Sequence, residues 1–199
     1  MSASRSLNDS ERERIFRPGR EVHRGITAIS ETVIVKTLSQ DDISKADITD
    51  HRGLNADLMA NVLSSRLVSM ELNDGIMLVA RISDRYAGYC RLEFDFKTSE
   101  YTGDFTYSNA ELTFIYVAPE HREKGVGSIL VDVALKVVED EIKANGVHLF
   151  VKSPEGTDIT ARRLYLRKGF TDVPGDKCAM HRLNPTTPQG TVKHLRRTF

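Results

Sequence analysis

Residues 117–128 of the chain read VAPEHREKGVGS, and they carry the strongest structural signal in its sequence. The β-branched and aromatic residues just before this segment are typical of a strand. Pro119 must end that strand, because proline has no backbone N–H to donate to a sheet. From Gly127 to about Asn145 the apolar residues recur at helical spacing. The segment is therefore predicted to contain a strand end, a short loop and the first turn of a helix.

A helix that begins directly after a glycine-containing loop is suited to binding phosphate. The N–H groups of its first turn lack acceptors within the helix and lie at the positive end of the helix dipole. Gly125 and Gly127 would let a phosphate approach the backbone closely. Arg122 and Lys124 add positive charge, and Ser128 adds a hydroxyl donor. This chemistry indicates a diphosphate ligand, but a tight turn without any ligand explains two glycines equally well.

Two common nucleotide-binding motifs do not fit this segment. The chain contains no GxxxxGK[ST] string, which a P-loop requires. A dinucleotide-binding fingerprint needs a third glycine, and that position is Leu130 here. The phosphate hypothesis therefore has to be decided by residues elsewhere in the chain.

The rest of the sequence predicts one mixed α+β domain. We expect an N-terminal extension over residues 1–30, which is either flexible or a short helix packed on the outside, the domain over 31–184 and a flexible basic tail over 185–199. Within the domain, the predicted order is a strand, helical sequence, three strands, a helix, a strand, a helix and a closing hairpin. The corresponding segments are TVIVKTL from Thr32, a helix within 54–72, IMLVARI, YAGYCRLEFDF, AELTFIYVAP, the helix after Gly127, VHLFVKS, a helix over 158–168, and TDVPGDKCAMHRL.

The composition excludes several classes of protein. Lysine plus arginine and aspartate plus glutamate both number 28, so no net charge of the whole chain favours nucleic acid. The N-terminus lacks the apolar stretch of a signal peptide, and no stretch approaches the ~20 apolar residues of a membrane helix. Cys90 and Cys178 form no dense disulfide framework, although one bridge between them is compatible with the sequence. These features predict a cytoplasmic protein with no membrane partner.

Two blocks of sequence resemble the GNAT acetyltransferase superfamily. Val117-x-Pro119 followed by Arg122-x-x-Gly125-x-Gly127 is similar to the family's motif [QR]-x-x-G-x-[GA], with no departure at the signature positions. Downstream, the segment 161–170 (ARRLYLRKGF) is similar to the family's A-x-x-L-Y-x-x-x-G-F helix. Together with the strand between them, these blocks cover roughly residues 110–171.

The resemblance implies a fold and a cofactor. The fold would be a GNAT-like central mixed, mostly antiparallel sheet flanked by helices, in which two strands splay apart to hold the pantetheine arm of acetyl-CoA. Those strands would be the ones that end at Val117 and begin near Val147. The implied cofactor-binding residues are Ile115, Tyr116, Val117, Arg122, Glu123, Lys124, Gly125, Val126, Gly127, Ser128 and Asp158. The family often has asparagine where this chain has Asp158, and an aspartate cannot donate an amide hydrogen to the pantetheine arm.

The resemblance also implies a direct transfer of an acetyl group to a primary amine. Glu111 resembles the family's general base, and Tyr165 matches its general-acid tyrosine, which protonates the leaving thiolate. Simple strand alternation would place Glu111, Thr113, Ile115 and Val117 on one face. A backbone N–H near Val117 would polarise the thioester carbonyl. The structural alternatives are a solvated strand end for Glu111 and a packed core aromatic for Tyr165.

Other residues gave weaker signals. His121 and His148 have no spacing that suggests a metal site or a nucleophilic dyad, and Cys90 is not needed for direct transfer. The acidic residues Glu93, Asp95, Glu100 and Asp104 suit either a cationic amine or a solvated strand edge.

Two alternative functions stay open. One is a GNAT-like module that binds CoA without turnover, and the other is an acyltransferase for aminoacyl-tRNA or DNA, which only the basic tail supports. The expected partners are an amine substrate of unspecified identity and, as in many such folds, a second copy of the chain in a homodimer.

Overall fold

The computed structural model describes residues 6–38, 75–83, 85–98, 105–151 and 159–185. This part of the chain contains nine strands and three α-helices. A turn of 3₁₀-helix, Pro119–His121, precedes the second α-helix, and a π-helical stretch, Val137–Ile142, continues it. In chain order, the elements are β1 (Ser6–Leu7), α1 (Asp9–Phe16), β2 (Glu21–Ile26), β3 (Thr32–Thr37), β4 (Gly75–Ile82), β5 (Arg85–Thr98), β6 (Phe105–Val117), α2 (Val126–Lys136), β7 (Gly146–Phe150), α3 (Ile159–Arg167), β8 (Thr171–Val173) and β9 (Asp176–Leu183).

The strands form one continuous mixed sheet in the order β2-β3-β4-β5-β6-β7-β9-β8, with β1 paired to the beginning of β6. Each neighbouring pair of strands is antiparallel except β6 and β7, which run parallel. The predicted α+β class with a mixed, mostly antiparallel sheet is therefore confirmed.

The core lies mainly between one face of this sheet and α2. Helix α2 packs on β3, β4, β5 and β6, as the helical spacing of its apolar residues requires. Its buried residues are Val126, Leu130, Val131, Val133, Ala134 and Leu135. From the sheet, Leu78, Cys90 and Leu92 are fully buried in the same cluster. This packing fixes the beginning of α2 relative to the end of β6.

Within the expected extension over 1–30, the segment that contains β1 and α1 packs on the sheet. Leu7 of β1 and Ile15 of α1 are both 0% exposed and belong to the same core as the sheet. Helix α1 is closed at its start by a capping box, in which Asn8 and Glu11 each accept a backbone N–H of the other. Burying two large aliphatic side chains stabilises this charge-rich segment as part of the domain. Its many charges occupy the exposed face of α1, which is why the composition suggested an extension.

The other predicted elements within the described residues are present close to their expected positions. Strand β2 was not predicted, because EVHRGI offers only two aliphatic residues among polar ones and lies at the edge of the sheet. The predicted helix within 54–72 and nearly all of the tail 185–199 lie outside the described residues. None of the described helices is long and apolar enough to cross a membrane.

Candidate functional site

Strands β6 and β7 separate soon after they meet. Within the described residues, their parallel ladder contains two residue pairs, Ala110 with Val147 and Glu111 with His148. Strand β6 continues for six more residues to Val117, and on its other side β5 stays paired with it as far as Gly88 and Val117. Among the described residues, the side of β6 that faces away from β5 therefore has no neighbouring strand beyond Glu111. This is the splayed pair that the sequence analysis expected.

The backbone groups that face this gap can be identified from the ladder with β5. Ala118 donates its N–H to the carbonyl of Ala87 at 3.0 Å, so Ala118 points its N–H toward β5. Successive residues of a strand direct their N–H groups to opposite sides, so those of Val117 and Ile115 point into the gap. Tyr116 instead directs its backbone toward β5 and stacks its ring near Tyr89, with centroids 5.5 Å apart.

The glycine turn lies at the end of β6 and begins α2. Gly125 has φ +88° and ψ −2°, a left-handed conformation that favours glycine, and it is the N-cap of the helix. Gly127 does not have a positive φ, and a Cβ placed on it would meet Val117 and Leu164 at 3.5 and 3.6 Å, which are ordinary contacts. The backbone conformation therefore requires glycine at 125, whereas neither the backbone nor the packing requires it at 127.

The remaining residues of the turn divide into structural and exposed groups. The side chain of Val126 is fully buried in the core, so only its backbone faces the helix start. The Nε of Arg122 donates to the carbonyl of Val117 at 3.1 Å, which ties the loop to the strand end. Glu123 is left-handed at φ +61°, and the carbonyl of Lys124 accepts the N–H of Ala28 at 3.1 Å. The side chain of Ser128 is partly exposed at the first turn of α2.

Helix α3 brings the second sequence block to the same place. Leu164 of α3 and Val117 of β6 both approach Gly127 of α2, so the two blocks that are far apart in sequence meet in space. The neighbouring Tyr165 is 6% exposed and packs edge-on against Phe170, with ring centroids 5.7 Å apart. Asp158, the predicted cap of this helix, lies outside the described residues.

A bulge in β6 corrects the predicted face of Glu111. Leu112 pairs with Leu92 and Phe114 pairs with Arg91, so Thr113 is an extra residue on β6. An inserted residue reverses the alternation of side chains beyond it. Glu111 therefore lies on the opposite face from Ile115 and Val117, whereas uninterrupted alternation had placed all of them on one face. The side chain of Glu111 is 13% exposed, so it does not sit at a solvated strand end.

The structure places His148 directly beside Glu111. Its Nε2 lies 3.2 Å from Oε2 of Glu111, and its side chain is 16% exposed. The sequence offers no partner for His148, because Glu111 lies 37 positions away and becomes its neighbour only through the parallel pairing of β6 and β7. A histidine within the strand after the glycine motif was the only available signal.

Ionisable side chains continue across the sheet on this face. Glu93 of β5 pairs with Glu111, and His181 of β9 pairs with His148, so the four residues form one row. Arg91 forms an ion pair with Glu93 at 2.9 Å, which balances one of the two carboxylates. Of the predicted acidic cluster, only Glu93 has a described side chain.

Cys90 and His121 are buried, so neither is a reactive group on the surface. Cys90 is fully buried, and burial raises the pKa of its thiol to about 12, so it is a poor acyl acceptor. Cys90 and Cys178 are both free thiols rather than a disulfide. His121 is buried, with 9% of its surface exposed, and its Nδ1 has no hydrogen-bond partner in the described part of the chain.

The match to a protein family covers the part of the chain that contains both sequence blocks. A family model described as "Acetyltransferase (GNAT) domain" matches residues 73–172, about half of the chain, and spans β4 through α3. The chain belongs to the GNAT acetyltransferase family. By family it is an N-acetyltransferase, and enzymes of this family use acetyl-CoA as the acetyl donor. No significant match is found among curated proteins.

Solved structures of GNAT proteins share this fold. A putative acetyltransferase of the GNAT family from Desulfovibrio desulfuricans is 18% identical, with a TM-score of 0.55 over 76% of this chain and 98% of that one. The N-acetyltransferase PseH of Campylobacter jejuni is 18% identical, with a TM-score of 0.53 over 76% of this chain and 97% of that one. AtaT, solved with acetyl-methionyl-tRNAfMet, is 15% identical, with a TM-score of 0.54 over 76% and 94%.

Proposed function

We propose that this GNAT protein binds acetyl-CoA between β6 and β7 and transfers its acetyl group directly to a primary amine. The observation that carries the proposal is the separation of β6 from β7 immediately beside the glycine-capped start of α2. The gap presents the N–H groups of Ile115 and Val117, which suit the amides of a pantetheine arm. The helix start presents free N–H groups, which suit a diphosphate.

We assign the diphosphate to the turn that contains Arg122, Glu123, Lys124, Gly125, Val126, Gly127 and Ser128. Backbone N–H groups at the start of α2 would be the main donors, with Lys124 and the Ser128 hydroxyl adding to them. Asp158, the residue before α3 in the sequence, would contact the arm as an acceptor only. These assignments require no side chain that is already fully buried, since Val126 contributes its backbone.

Catalysis would use three groups near the gap. Glu111, at the point where the strands separate, would accept a proton from the substrate amine. The amine nitrogen could then attack the thioester. The N–H of Val117 would stabilise the negative charge that develops on the thioester oxygen. Tyr165 would protonate the thiolate of CoA as it leaves.

Two free cysteines are consistent with the reducing cytoplasm, which we propose as the location of the protein.

Replacing Tyr165 with phenylalanine tests the assignment of the acid. We expect Tyr165→Phe to lower kcat by about 10²-fold, since general-acid catalysis contributes on that order. The Kd for acetyl-CoA should stay within about twofold, because the ring still packs on Phe170. Release of CoA from acetyl-CoA is followed with a thiol-reactive dye against a panel of primary amines, and binding is followed by calorimetry.

Tyr86→Phe is the matched control, since the Tyr86 ring packs under Arg81 at 5.4 Å and has no assigned role in transfer. Unchanged turnover in Tyr165→Phe would contradict the acid role. Tight binding of acetyl-CoA by the wild type, without CoA release in the presence of any amine, would instead favour a binding module without turnover.

The acceptor has two candidates. A small-molecule amine or a protein amine is our first candidate, and dimerisation of the chain would be compatible with either. AtaT, which shares the fold, has been solved in complex with acetyl-methionyl-tRNAfMet. Aminoacyl-tRNA is therefore a second candidate for the acceptor of this chain. Removing residues 185–199 should weaken binding of tRNA in a salt-dependent way if that candidate is correct, and should leave amine acetylation unchanged otherwise.

A further inference from the structure

The face of the sheet that carries Glu111 is the one that does not pack on α2. On β6, Leu112 belongs to the core and Ile115 packs against it. Side chains of neighbouring residues in a strand point to opposite faces, so Glu111 and Phe114 both project away from α2. The bulge at Thr113 makes this possible, because residues three positions apart in a regular strand would lie on opposite faces. The proposed base therefore shares its face with an aromatic ring.

Phe114 belongs to a group of three aromatic rings on this face. Its ring stacks on that of Tyr89 in β5, with centroids 5.5 Å apart and an angle of 15° between the ring planes. Tyr116 lies two residues further along β6, and its ring centroid is also 5.5 Å from that of Tyr89. All three residues are partly exposed, so they still present aromatic surface after packing on one another.

A fourth ring, that of Phe150 in β7, lies beside the proposed base. Phe150 is 45% exposed, and its ring meets that of His148 edge-on at 6.1 Å. Nε2 of His148 in turn lies 3.2 Å from Oε2 of Glu111. Because β6 and β7 run parallel, Phe114 and Phe150 both follow the last pair, Glu111 with His148, in the direction in which the strands separate. Aromatic side chains therefore follow the proposed base on both strands.

The charges on this face suit a cation. Glu93 pairs with Glu111 in the sheet, and its carboxylate forms an ion pair with Arg91 at 2.9 Å. The carboxylate of Glu111 would attract an amine in its ammonium form, and the faces of nearby aromatic rings add to that attraction. A phosphate-rich acceptor would instead bring negative charge to this carboxylate. Charge and aromatic surface together favour a small amine that carries an apolar group.

We propose that the acceptor is a primary amine with an aromatic ring, which binds over Phe114 and Phe150 with its amino group at Glu111. This inference rests on the proposed function and specifies its acceptor. The ring of the substrate would pack on the exposed parts of the two phenylalanines, in the offset or edge-on arrangements that aromatic pairs favour. A short alkyl spacer would let the amino group reach Glu111. The simplest amine of this class is 2-phenylethylamine.

Two amines that differ by the ring alone test the wild type. We expect kcat/KM for 2-phenylethylamine to exceed that for ethylamine by at least about tenfold, since even small apolar groups give such ratios in a fitting pocket. Calorimetry should also detect 2-phenylethylamine binding to the CoA-loaded protein, which requires no turnover. Equal kcat/KM for the two amines, or no such binding, would overturn the inference alone. A wild type that releases no CoA with any amine would overturn the proposed function itself.

The variant Phe150→Ala tests the assigned surface. We expect KM for 2-phenylethylamine to rise by about tenfold, while kcat, the values for ethylamine and the Kd for acetyl-CoA stay within about twofold. Ile26→Ala is the matched control, since it shortens a 70% exposed apolar side chain at the far edge of the sheet, and it should keep wild-type kinetics.

The other occupant that an exposed phenylalanine suits is a second copy of the chain. Size-exclusion chromatography of Phe150→Ala and the wild type distinguishes the two cases. Loss of a dimer in the variant, with an unchanged KM for 2-phenylethylamine, would make Phe150 part of an interface and overturn the inference. An equal loss of kcat/KM for both amines would show a structural role for the ring and would overturn it as well.

Discussion

At residue scale, the backbone conformation explains the glycine at 125, whereas the proposed ligand explains the glycine at 127. Gly125 needs its left-handed conformation, so Gly125→Ala should cost roughly 1–2 kcal/mol of stability. Gly127→Ala should change the free energy of unfolding by less than about 1 kcal/mol, because a Cβ there makes ordinary contacts and alanine favours a helix. If the diphosphate binds this turn as proposed, the added methyl group would also crowd it. We therefore expect Gly127→Ala to fold normally and to bind CoA at least about tenfold more weakly.

Thermal unfolding and calorimetric titration with CoA measure the two effects separately. Equal affinity of Gly127→Ala and the wild type for CoA would contradict the assignment of the diphosphate to this turn. The sequence motif predicts the same role for both glycines, because a motif records only residue types and their spacing. Only the backbone angles distinguish the glycine that the fold needs from the glycine that a ligand would need.

At the scale of elements, α1 shows how strongly the N-terminal segment belongs to the domain. Ile15→Ala should lower the free energy of unfolding by about 2–5 kcal/mol, since it removes a fully buried side chain from the core. Glu13→Ala, on the exposed side of the same helix, should change it by no more than about 0.5 kcal/mol. Urea unfolding followed by circular dichroism measures both variants. Similar small effects in the two variants would mean that α1 does not stabilise the sheet.

Most elements of the sheet were predictable, because their apolar periodicities are strong and their ends carry glycine or proline. The face of Glu111 was not, because a bulge is a property of two paired strands. Nothing in the segment ELTFIYV marks Thr113 as the extra residue, and the shift becomes visible only opposite Arg91 and Leu92. The pairing of Glu111 with His148 was hidden for a similar reason, since parallel strands bring together residues that are distant in sequence.

At the scale of the whole molecule, the reactivity of the two cysteine thiols measures how readily the core opens. Burial raises the pKa of the Cys90 thiol to about 12, whereas Cys178 is partly exposed. Since the thiolate is the reactive form, we expect a thiol reagent at pH 8 to modify Cys178 in the folded protein and Cys90 only after unfolding. Mass spectrometry should find one label per chain in buffer and two in denaturant. Rapid labelling of Cys90 in buffer would show that the packing between the sheet and α2 opens readily.

The early separation of β6 from β7 has a consequence for the protein before any ligand arrives. A strand with unpaired N–H and C=O groups is a template for pairing with a strand of another molecule, and such edges promote aggregation. The backbone of Ile115 and Val117 presents an internal edge of this kind, although Arg122 occupies the carbonyl of Val117. A pantetheine arm lying along that edge would cover it. We therefore expect the cofactor to protect the protein from self-association in solution, in addition to supplying the group that is transferred.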